Sequence, residues 1–71
     1  MTEYFDYESV AREVGLSVPQ LEVIKQGMRL DYPHDDMLYE LHVLRACMVI
    51  KDGYATYDAV VQSLPGRATA A

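Results

Sequence analysis

Three residues, Gly15, Leu16 and Ser17, separate two helix-forming stretches in the run SVAREVGLSVPQLEVIKQGM, residues 9–28. Before the link, Val10, Ala11 and Val14 fall on one helical face; after it, Leu21, Ile24 and Met28 do the same. Two helices joined this tightly cross at a steep angle. Asp6 is a good N-cap for the first, expected over residues 6–14, and Glu8 adds negative charge to its first turn. Gly15 stops that helix, as a residue able to take positive φ does. Ser17 caps the second, with Pro19 in the first turn, where a missing N–H costs nothing, and Gly27 closes it.

Beyond Met28, the stretch RLDYP reads as extended, because Pro33 biases Tyr32 away from the helical region. A short strand or vestigial wing is expected there. A long third helix begins at Pro33, carries Asp35 and Asp36 in its first turn, runs to Asp52 and is capped by Gly53. Thr56 caps a short fourth helix, YDAVVQSL, which Pro65 and Gly66 end. The expected fold is therefore all-α: one four-helix domain over residues 1–64 and a flexible tail over 65–71. A chain of 71 residues buries only about 60% of its unfolded surface, so its core is small.

The third helix is apolar on two sides. Met37, Leu41, Leu44 and Met48 form one stripe; Tyr39, Val43, Ala46 and Ile50 form a second at the same spacing. Four short helices can scarcely cover both. The second stripe is the expected partner or homodimer surface; the alternative is a central helix wrapped by the other three.

Charge and composition narrow the function classes. The net charge is −5, with acids at Glu3, Asp6, Glu8 and Glu13 and again at Asp31, Asp35, Asp36 and Glu40. Lys25 and Arg29 make the end of the opening motif the one locally basic piece, and no compact basic cluster exists. The lone Cys47 has no partner for an internal disulfide, which fits a reducing interior. The acidic start MTEYFDYE lacks the apolar run of a secretion signal, and the apolar stretch ACMVI is far short of a membrane span. A soluble, cytoplasmic protein without membrane contact is expected. His42 and Cys47, five apart on a helix, point in different directions, and no third group is seen to orient the histidine for nucleophilic catalysis. His34 beside Asp35 and Asp36 reads better as a capped helix start than as a metal site. No enzyme activity, cofactor or metal is expected.

The order Val10, Ala11, Val14, Gly15, Leu16, Leu21, Ile24 resembles the helix-turn-helix pattern, in which a small residue lets the second helix approach and glycine permits the turn. With the later DGYATYDAVV, the chain to about Leu64 resembles MerR-like winged helix-turn-helix domains and the related excisionase-type domains. The resemblance is architectural. Where family members usually place arginine on the second helix, this chain has Pro19, Gln20, Glu22 and Val23; Arg29 and Tyr32 stand where a wing would carry its arginine and aromatic. The resemblance implies binding of duplex DNA by a small regulator or recombination accessory factor. Ser17, Gln20 and Gln26 are then the candidates for base edges, and Lys25 and Arg29 for phosphates. Small members of the superfamily similar to chaperone-modulator adaptors imply the alternative, an acidic protein-binding adaptor without DNA binding. Six tyrosines against one phenylalanine suit that reading, since tyrosine is enriched at interfaces.

Overall fold

Every helix among the described residues starts where a short polar side chain can satisfy a free backbone N–H. The structure, a computed structural model, describes residues 4–64 and contains four helices: α1 (Tyr7–Val14), α2 (Val18–Asp31), α3 (Asp36–Lys51) and α4 (Tyr57–Gln62). No strand is present among the described residues. Asp6, Ser17, Asp35 and Thr56 are the N-caps, accepting from the backbone N–H of Ser9, Gln20, Leu38 and Ala59. Gly15 ends α1 at φ 90°, and its N–H and that of Leu16 both return to the Ala11 carbonyl. The left-handed conformation reverses the chain within three residues, and Ser17 starts α2 at once.

Two boundaries differ from the sequence reading by three residues or more. The third helix begins at Asp36, because Asp35 takes the capping position; Pro33 and His34 lie in the preceding bend. The second helix does not close at Gly27 but runs on to Asp31, so Arg29–Asp31 are helical and form neither strand nor wing. Gly27 serves packing instead. It is buried, and a Cβ there would lie 2.9 Å from both Cβ and Cδ1 of Leu64, which is itself 1% exposed. The missing side chain lets the end of the α4 segment seat directly on α2. The tail expected over residues 65–71 lies outside the described residues.

The core joins Tyr7 of α1, Ile24 of α2, Tyr39, Val43 and Ala46 of α3, and Val60 of α4. Helix α3 touches all three others and is the central element. The dimer surface expected at Tyr39, Val43, Ala46 and Ile50 is thereby corrected. The first three are buried within the chain, Val43 without any exposed surface, and Ile50 is half-buried against the same cluster. Periodicity marks two stripes but does not say which one the other helices cover. The less covered one is Met37, Leu41, Leu44 and Met48: Met37 is 51% and Met48 39% exposed, Leu41 is half-buried, and Leu44 is half-buried against the edge of the core.

Glu40, counted in the sequence with the acidic run, is buried on the other flank of α3. Its Oε1 accepts from the N–H of Tyr4 at 2.8 Å and of Phe5 at 3.0 Å, fastening the segment before α1 to the central helix. A buried carboxylate is tolerated when it is hydrogen-bonded in this way. On the surface, Lys51 Nζ pairs with Glu13 at 2.8 Å and ties the end of α3 to α1.

Gly27→Ala should destabilise the protein by about 1–2 kcal/mol, although in an open helix the same change stabilises by about 1 kcal/mol. A lower urea midpoint at unchanged slope is the expected readout, and the loss should shrink when Leu64 is also cut to Ala. Val43→Glu should cost about 3 kcal/mol or more and unfold the chain, which circular dichroism would report.

Candidate binding face

The amphipathic pattern of α2 turns Ile24 and Gly27 inward and leaves Val18, Glu22, Gln26 and Leu30, spaced four apart, on the open side. Val18 is 78% and Leu30 67% exposed.

The sequence-predicted contact residues divide among different tasks. Ser17 and Gln20 form a reciprocal capping box: the Gln20 N–H donates to Ser17 Oγ at 3.2 Å, and the Ser17 N–H donates to Gln20 Oε1 at 2.9 Å. The spacing S-x-x-Q was the legible signal for this use. The backbone carbonyl of Gln20 further accepts from the Tyr57 hydroxyl at 3.2 Å. Lys25 Nζ lies 3.0 Å from Glu22 Oε2 and 5.9 Å from the centre of the Tyr7 ring. The hydrogen bond to Glu22, above all, holds its ammonium above the usual lysine pKa. Arg29 Nη1 donates to Asp36 Oδ1 at 2.9 Å and to the Tyr32 carbonyl at 3.3 Å, while its guanidinium stacks 3.7 Å over the Tyr39 ring. Both cations therefore lean toward their own chain. Of the five residues, Gln26 alone is both exposed and without a hydrogen bond among the described residues.

Between α1 and the start of α2 lies an open notch of about 210 Å³. Ala11, Leu16, Val18 and Leu21 line it, with Glu8 and Arg12 beside them. Arg12 Nη2 donates to Ser9 Oγ at 3.1 Å, and Ser9 Oγ donates to Asp6 Oδ2 at 2.7 Å, so this cation too is engaged locally. Hydrogen bonding from Ser9 holds the Asp6 carboxyl below its ordinary value. The notch adjoins the exposed Val18 and has room for one apolar side chain. Sequence periodicity could not find it, because it forms only where the two helices cross.

The remaining candidates are absorbed by the fold. His42 is oriented after all. Its Nδ1 lies 2.8 Å from the Leu38 carbonyl, which can only accept, so Nδ1 carries a proton; in the neutral ring Nε2 accepts from the Tyr32 hydroxyl at 3.2 Å. The two rings stack at 4.5 Å. Cys47 is fully buried, and burial pushes its thiol up to about 11. Asp35 caps α3 and Asp36 pairs with Arg29, leaving His34 exposed. No group of three or more metal-binding side chains exists among the described residues, and no helix there is long and apolar enough to cross a membrane. Comparison with protein-family models, with curated proteins and with solved structures gave no match.

Cys47 should resist a thiol-specific disulfide reagent at neutral pH in the folded protein and react once the chain is denatured. Its folded pKa is raised, so its contribution to stability is intact below the unfolded value and is lost as pH climbs from about 9 toward about 11. Thermal melts across that range, compared with Cys47→Ala, should show the extra loss in wild type only.

Proposed function

We propose that this chain is a small helix-turn-helix domain of the MerR-like and excisionase-type architecture that works as an acidic protein-binding adaptor. In that reading α1, the Gly15–Ser17 turn and α2 are the two-helix motif, with no wing among the described residues. One observation supports the adaptor over the reader of duplex DNA: the open face of α2 offers Val18, Glu22, Gln26 and Leu30, while its two cations are held by Glu22 and Asp36. Sequence-independent DNA binding grows with the number of phosphates neutralised by lysine and arginine. This face would bring a carboxylate and two apolar side chains to the groove, on a chain of net charge −5. A protein partner meets the same face with favourable chemistry. An apolar side chain fills the notch beside Val18, Leu30 supplies a second contact, and the acidic surround favours a basic partner.

The DNA reading requires Lys25 and Arg29 to leave their acidic partners for phosphates, with Gln26 as the base contact. Fluorescence anisotropy against random duplex DNA at low salt separates the two. No binding is expected. Binding that weakens steadily as salt rises, and that Arg29→Ala reduces on every sequence alike, would establish DNA binding in place of the adaptor. On the adaptor side, Val18→Asp with Leu30→Asp should abolish capture of a partner that the wild type retains, without lowering the melting temperature.

A further inference from the structure

We propose that two copies of this chain pair antiparallel through the outer stripe of α3. The proposal is independent of the adaptor reading, because the stripe is on a different helix from Val18 and Leu30. Met37, Leu41, Leu44 and Met48 follow the spacing i, i+4, i+7, i+11, which is the seam of a coiled coil. Its two ends, Met37 and Met48, are exposed and Leu41 and Leu44 between them are half-buried, on the side of the central helix away from Val43, which α1, α2 and α4 cover.

The spacing is symmetric about its midpoint. An antiparallel pair related by a twofold axis sets Met37 of one copy across from Met48 of the other, and Leu41 across from Leu44, so the surface is its own complement. Charge selects the same direction. The N-terminal end of α3 carries Asp35 and Asp36, the latter paired with Arg29; its C-terminal half carries Arg45, with Lys51 paired to Glu13 and Asp52 at the C-cap. Antiparallel pairing brings the acidic N-terminal end of each copy toward Arg45 of the other and aligns opposite ends of the helix dipoles. Arg45 is exposed, flanks the seam and makes no ion pair among the described residues. A parallel pair would set Arg45 beside Arg45 and the aspartates beside the aspartates. The seam runs only about 17 Å along the helix, three turns. It buries less than the roughly 800 Å² per partner of a standard stable interface, so the association is a weak one. Net charge opposes it too, but at physiological salt the screening length is about 8 Å and the distant charges are muted.

Sedimentation equilibrium from about 10 μM to about 1 mM at physiological salt brackets this affinity. Wild type should pass from monomer toward dimer across the range. Met37→Glu with Met48→Glu, at two positions already open to solvent, should weaken the dimer at least about tenfold with an unchanged melt. Orientation is read by disulfide formation in a mixture of Met37→Cys and Met48→Cys chains, since Cys47 is buried. The antiparallel pair predicts that the mixed crosslink, one Met37→Cys chain joined to one Met48→Cys chain, prevails over either like-with-like product. A wild type that stays monomeric throughout overturns the proposal. So does a dimer indifferent to both glutamates, or one that crosslinks like with like. Should the glutamate variant fail to fold, the wild-type sedimentation and the crosslinks decide alone.

Discussion

The burial of one face of α3, built on Tyr39, Val43 and Ala46, positions everything else in the domain. Val43 has no exposed surface, and Ile24 of α2 meets the same condition from the opposite side. Helices α1, α2 and α4 each rest on α3, whereas α1, the crossing partner of α2, depends on the central helix for most of its packing. A fully buried aliphatic side chain of this kind contributes about 1.5–3 kcal/mol. In a chain this short, few such residues exist, and no second core stands behind them. The three-residue turn at Gly15 sets how α1 and α2 leave one another, but α3 gives both of them something to close against.

That dependence explains where the polar residues went. The elbow between α2 and α3 is held by Arg29 on Asp36 and on the Tyr39 ring, and by the stack of Tyr32 on His42. The entry to α1 is held by Glu40, the entry to α2 by the Ser17–Gln20 box. Exposed ion pairs add little stability one by one. Their larger consequence is functional. The cations best placed to meet phosphate are oriented along the protein's own surface, and the face left open on α2 is apolar at both ends. The open surface of this all-helical domain is thus poor in free positive charge.

Two apolar surfaces remain outward, on different helices. The α2 face is broken by Glu22 and Gln26 and borders the notch at Ala11 and Leu16. It fits a partner that supplies isolated apolar side chains and positive charge. The α3 stripe exposes a methionine at each end with half-buried leucines between, and its spacing is symmetric, which fits a second copy. If both are used, one dimer would hold two copies of the partner-binding face, and a weak single contact would gain from being offered twice.

Local chemistry was legible in the residues themselves. Asp6, Ser17 and Thr56 cap where short polar side chains precede apolar-periodic runs, and Gly15 turns where positive φ is needed. These signals act within four residues and require no knowledge of the rest of the chain. The all-helical class follows from them. Three matters were decided only by the tertiary structure. Gly27 looked like a helix stop, yet α2 continues, because the absent Cβ is the space that Leu64 occupies from 37 positions along the chain. Glu40 looked like surface charge, yet it is buried because the N–H groups of Tyr4 and Phe5 converge on it. The two stripes of α3 carry the same periodicity, so the pattern cannot say which faces in. The packing of Tyr7, Ile24 and Val60 onto Val43 made that choice, and in making it left the methionines outside. Short-range capping chemistry determines where these helices begin; the steric fit of distant side chains determines how far α2 runs and which faces are left for function.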